Sequence, residues 1–144
     1  LSQQLKEIMT RNVTTVTPEQ SIQEAAQLMS QQNIGSLPVV KNGHCVGIIT
    51  DRDIALRAVS QGHSPQSTTV GSVMSSGVVT ASPEMDVHEA AHLMAEQQIR
   101  RLPVVENGQL TGIVALGDLA TQNIYQNEAG EALSSISVPS SPIH

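Results

Sequence analysis

The sequence predicts an α/β (α+β) fold built from two β-α-β-β-α repeats packed with pseudo-twofold symmetry. Three observations carry this. Residues 8 to 55 align without a gap on residues 73 to 120, at a constant offset of 65. Each copy holds an Asn-Gly dipeptide between short β-branched runs, Asn42-Gly43 and Asn107-Gly108, which is a hairpin signal because a tight turn needs two positive φ angles. Each copy also carries an amphipathic helical pattern ahead of that hairpin. A unit of this size exposes an apolar face that it cannot bury alone, so the copies are expected to pack on each other.

Taken in order, each copy starts with a short strand, Val13 to Val16 or Val78 to Ala81, followed by a proline, Pro18 or Pro83. Ser21-x-x-Glu24 and Asp86-x-x-Glu89 then announce a helix start. Ile22, Ala25, Ala26, Leu28 and Met29 share one face of the first helix, and Val87, Ala90, Ala91, Leu93 and Met94 repeat it, so both methionines are expected in the core. Strands Leu37 to Val40 and Cys45 to Ile49 flank the first turn, with Leu102-Pro103-Val104-Val105 opening the second hairpin. Junction helices Asp53 to Gln61 and Asp118 to Gln126 end the copies. The expected boundaries are 5–61 for repeat 1, 62–69 for a linker, 70–126 for repeat 2, and 127–144 for a short helix, Glu128 to Ile136, and a disordered Ser/Pro-rich tail.

Composition removes several function classes. With no Trp or Phe and a single Tyr125, stacking of bases on aromatic side chains is nearly excluded. A net charge of −6 argues against nucleic acid or an anionic membrane as partner, since both need a clustered basic face. The one cysteine, Cys45, is expected in the core, and its solitude suits a cytoplasmic location. No apolar run approaches a membrane span, and no targeting segment is expected. No nucleophile-base pair, metal-ligand cluster or phosphate-cradling glycine motif is read in the chain, so catalysis is not expected.

The most informative stretch is Gly47 to Asp53, Gly-Ile-Ile-Thr-Asp-Arg-Asp, where an apolar strand turns into a helix. Thr50 at that junction can meet a phosphate, Asp53 can accept ribose hydroxyls, and Gly47 would let a flat base approach the backbone. The same Thr50-x-x-Asp53 spacing also fits a capping box that serves only the helix. Arg52 and Arg57 read as surface charges, and Asp51 with Asp53 is a weak metal pair.

With the repeat and the junction together, the chain resembles a tandem CBS-domain pair, or Bateman module. The matching features are Met9-Thr10 and Met74-Ser75 before the first strands, the two Leu-Pro-Val-Val segments, and Gly-Ile-Ile-Thr-Asp-Arg-Asp-Ile-Ala-Leu-Arg at 47 to 57. The resemblance covers residues 5 to 122 and implies two clefts between the copies, regulatory binding of AMP, ADP, ATP or S-adenosylmethionine, and association into flat dimers. It implies a phosphate contact at Thr50 and a ribose contact at Asp53. Copy two keeps the acid as Asp118 but has Ala115 in place of the hydroxyl, while Arg100-Arg101 stand where copy one has Gly35-Ser36. By the pseudo-twofold, one cleft is expected to combine Thr50 and Asp53 with Arg101, and with Arg100 beside it, as a phosphate site. The alternative is that Arg100 and Arg101 are solvated, or pair with acids such as Asp51 or Glu106. Ile49, Thr15, Thr80 and Asp118 complete the candidate ligand contacts.

The expected function is a regulatory module that binds an adenosine-containing ligand as an energy or metabolite sensor. It requires no cofactor, forms a homodimer and acts on an effector protein that the sequence does not name. The alternative is a ligand-independent dimerisation scaffold.

Overall fold

The structure is a computed structural model describing residues 3–121. The expected helix Glu128 to Ile136, the tail and the end of the second junction helix lie outside the described residues. The chain forms two compact units, and these do not follow the order of the repeats. One gathers the segment up to Asn12 with Val79–Glu106 and the stretch from Thr111; the other holds Val13–Val78 and Asn107–Leu110. The lead segment of each repeat therefore belongs to the unit built around the other repeat.

In the unit around repeat 1, helix α1 (Ile22–Gln32) is followed by strands β1 (Ser36–Lys41) and β2 (His44–Thr50), helix α2 (Asp51–Ile54) and, after a π-helical turn at Ala55–Val59, helix α3 (Val70–Val73). Ser21 caps α1: its Oγ accepts the Glu24 N–H at 3.1 Å, and Glu24 returns a carboxylate to the Ser21 N–H. Hydrogen bonds from Gln20 and Ser21 hold the Glu24 carboxyl below its ordinary range. The turn between β1 and β2 has Asn42 and Gly43 at φ 53° and 81°, as the dipeptide requires. Ile22, Ala25, Met29, Leu37, Val39 and Ile49 form the core, joined by Val70 and Val73. Ala26, expected on the buried face, is exposed.

The other unit repeats the plan with α4 (Val87–Gln97), β3 (Arg101–Glu106), β4 (Gln109–Ala115) and α5 (Leu116–Ala120). Its core contains Val87, Ala90, Ala91, Met94, Leu102 and Val104, and Leu5 from the exchanged segment is fully buried there. The methionines Met29 and Met94 are core residues, as their spacing predicts.

The first strand of each copy shrinks to a single parallel bridge, Val16 with Val39 and Ala81 with Val104. Val16 donates to the Pro38 carbonyl at 3.1 Å and accepts from Val40 at 2.8 Å. Pro38 has no N–H to extend the ladder, and Pro18 stops it on the other side. The junction helices start earlier than expected, at Asp51 and Leu116. Cys45 is half-buried rather than in the core.

Candidate functional site

The strand-to-helix junction forms as a reciprocal cap. Thr50 Oγ1 accepts the Asp53 N–H at 2.9 Å, and Asp53 Oδ2 accepts the Thr50 N–H at 3.0 Å. Capping and ligand contact are compatible in this geometry. Thr50 Oγ1 serves the cap as an acceptor, so its O–H proton is left to donate, and a carboxylate offers about four acceptor positions, of which the cap takes one. The Asp53 side chain is 13% exposed.

Arg57 stands one helical turn beyond, with Nε 3.8 Å from Asp53 Oδ1. Its Nη1 donates to the carbonyls of Val73 at 3.3 Å and Met74 at 3.2 Å. Arg57 is exposed, as the sequence suggests, and its guanidinium also links the Asp53 carboxylate to the exchanged segment. The i,i+4 spacing signals the contact with Asp53, but nothing local signals the carbonyl partners, which lie 16 and 17 residues away.

Met74-Ser75 explains Gly47. Ile48 and Ser75 exchange two backbone hydrogen bonds at 2.9 Å, and a Cβ on Gly47 would stand 2.7 Å from Met74 Sδ and 2.8 Å from the Ser75 carbonyl. That space is filled by the protein's own chain, so the missing side chain serves close packing rather than an approaching base. Copy two repeats the device: Thr10 and Ile113 exchange bonds at 2.9 Å, and a Cβ on Gly112 would stand 2.7 Å from Met9 Sδ. Met-Thr and Met-Ser recur in sequence at the repeat spacing, but their role as packing for the opposite repeat is not written there. Ile49 is fully buried in the core, so its side chain is turned away from any ligand.

The remaining candidates divide between the units. Thr15 is half-buried in the unit that holds Thr50 and Asp53, whereas Thr80, Arg100, Arg101 and Asp118 belong to the other. There Asp118 Oδ2 accepts the Ala115 N–H at 2.8 Å, which is half of the cap seen at Thr50. Arg101 is half-buried beside it: burial pulls the guanidinium below its ordinary range, and the Asp118 charge pulls it back. The acid that Arg101 faces is therefore Asp118 of its own unit, rather than Asp51 or Glu106. Arg100 is exposed, and its carbonyl accepts the Leu116 N–H at 2.8 Å as Gly35 does for Asp51 at 2.9 Å.

A cavity of about 390 Å³ is lined by Arg57, His63, Ser67, Thr68, Thr69, Ser72 and Val73, and includes neither Thr50 nor Asp53. Among the described residues, no group of three or more His, Cys, Asp or Glu side chains is placed to hold a metal ion, and no helix is long and apolar enough to cross a membrane.

Two gapless copies, each with a cap-bearing junction and an exchanged lead segment, agree with comparison to known proteins. The family model described as the CBS domain matches residues 5–60 and again 70–122. The chain belongs to the CBS-domain family. It is a tandem CBS pair, and it is 52% identical over 133 residues to the CBS domain-containing protein YhcV of Bacillus subtilis, covering 92% of this chain and 94% of that one. Among solved structures, the conserved CBS-domain protein TA0289 of unknown function from Thermoplasma acidophilum superposes with a TM-score of 0.82 at 25% identity, over 96% of this chain and 78% of its own. A hexameric CBS-CP12 protein from bloom-forming cyanobacteria superposes with a TM-score of 0.72 at 30% identity, over 88% and 75% of the two chains.

Proposed function

We propose that this CBS pair is a non-catalytic regulatory module that binds an adenosine-containing ligand of the AMP, ADP or ATP type at the Thr50–Asp53 junction, and so acts as a cytoplasmic energy or metabolite sensor. One observation carries the reading: beyond the cap and the Arg57 contact, the Thr50–Asp53 turn keeps a hydroxyl donor and further acceptor positions on a mostly buried carboxylate. A ribose needs an acceptor for its hydroxyls and a phosphate needs a donor, and this turn offers one of each. The Ala115–Asp118 turn offers only the acid, with Arg101 beside it as Arg57 is beside Asp53. Binding is therefore expected to favour the Thr50 side.

A melting screen against AMP, ADP, ATP, NAD and S-adenosylmethionine tests this. A ligand held at 100 times its Kd stabilises the folded state by about 2.7 kcal/mol. No shift with any of them, together with an intact dimer, would favour the second reading, a ligand-independent dimerisation scaffold. A nucleotide-hydrolysis assay is expected to be blank.

Self-association is part of the proposal. The faces of α1 and α4 are spent inside their own units, but the π-helical turn leaves Leu56 49% and Val59 60% exposed. Large apolar side chains set out together favour a homodimer contact, and the cyanobacterial relative is itself an assembly. The effector acted upon would be a further protein.

A further inference from the structure

The outer face of α4 carries a pattern that ligand sensing does not use. Val87, Ala90, Ala91 and Met94 turn into the core and Leu93 packs against it, which leaves Glu89 and His92 exposed and His88 partly exposed on the outer face. Two of these are His88 and His92, in the run His88-Glu89-Ala90-Ala91-His92. Residues four apart on a helix stand one above the other with Cβ atoms about 5–6 Å apart. From there two imidazoles can reach one ion with metal–nitrogen bonds of about 2.0–2.1 Å. The backbone that sets this spacing is fixed at both ends. Asp86 caps it by accepting the His88 N–H at 2.8 Å, and Gln98 closes it in the left-handed region at φ 55°.

We propose that His88 and His92 form a two-imidazole chelate for a divalent transition-metal ion of the Zn²⁺ or Cu²⁺ class, with water completing the coordination. Imidazole donors select such ions over Mg²⁺ and Ca²⁺, which prefer oxygen. The same spelling on a helix occurs in zinc hydrolases, where the glutamate is a base. Here Glu89 is exposed, and no third ligand stands with the pair among the described residues, so the site binds and does not catalyse. The repeat isolates it further: copy one has Gln23 and Gln27 at the matching positions of α1, so only copy two carries the pair.

That internal difference supplies the test, since glutamine is already carried by the same helix in copy one. Zn²⁺ alone is titrated calorimetrically into the full chain and into His88→Gln, His92→Gln and the double variant. One Zn²⁺ per chain is expected for the wild type, with each single change weakening it about tenfold to a hundredfold and the double change removing it. Glu89→His combined with His92→Gln keeps the number of histidines but breaks the four-residue spacing, and it too should lose the site while its melting temperature stays near wild type. Wild-type affinity in the double variant or in the respaced variant would overturn the proposal, as would failure of the wild type to take up Zn²⁺.

Discussion

Thr50 and Asp53 cap each other, each accepting the other's backbone N–H at 2.9 and 3.0 Å. In copy two Asp118 still accepts the Ala115 N–H, but Ala115 has no oxygen with which to answer. Ala115 sits at φ −96° and ψ 152°, an extended conformation like that of Thr50 at −117° and 161°, so a threonine there needs no backbone change. Ala115→Thr should stabilise the protein by about 0.5–1 kcal/mol by completing the cap, and Thr50→Ala should cost about 1 kcal/mol. Urea denaturation of the two variants measures both.

Gly47 is held by contact with the exchanged segment. Gly47→Ala must push Met74 or the Ser75 carbonyl away, and a backbone carbonyl cannot yield cheaply, so about 1–3 kcal/mol of stability should be lost. Gly77 meets nothing within 4 Å and its φ is not positive. Gly77→Ala should therefore be neutral or stabilise by up to about 1 kcal/mol. Equal losses from the two changes would contradict the packing account.

These contrasts show what sequence could and could not convey. The hairpins, both amphipathic helices and the junction were legible because each rests on local chemistry: Asn-Gly turns, a 3.6-residue period, a Thr-x-x-Asp spacing. The exchange of lead segments was not, since Met74-Ser75 meets Ile48 from beyond α2, the π-helical turn and α3, and no local pattern states that pairing. For the same reason Gly47 looked like room for a base, and Arg57, the exposed charge that the sequence suggests, gave no sign of its contacts with the Val73 and Met74 carbonyls. The first strands were overread because their partners Pro38 and Pro103 lack the N–H that a longer ladder needs.

Burial pushes the Cys45 thiol above its ordinary value. The folded state then holds the proton more tightly than the unfolded chain, so folding stability is unaffected while both are protonated and falls as pH rises past the unfolded thiol's value. Wild type should lose stability more steeply than Cys45→Ala above about pH 8.5. Parallel curves would show that Cys45 titrates alike in both states.

Leu56 and Val59 are the large apolar residues left exposed among the described residues. Replacing both with Glu should convert a dimer into a monomer at micromolar concentration without lowering the melting temperature of the isolated chain. Sedimentation equilibrium reads the outcome, and a wild-type monomer would remove this contact from the account.

The regulatory reading stands on Asp53, and calorimetric titration of AMP into wild type, Asp53→Ala and Asp118→Ala tests it most directly. A charged acceptor of a hydroxyl contributes about 1.5–3 kcal/mol per hydrogen bond, so Asp53→Ala should weaken AMP by roughly tenfold to a hundredfold or more. Its fold should survive with about 1 kcal/mol of lost capping. Asp118→Ala should leave the titration unchanged. Wild-type AMP affinity in Asp53→Ala would contradict the account and leave the Thr50–Asp53 turn as a helix cap only.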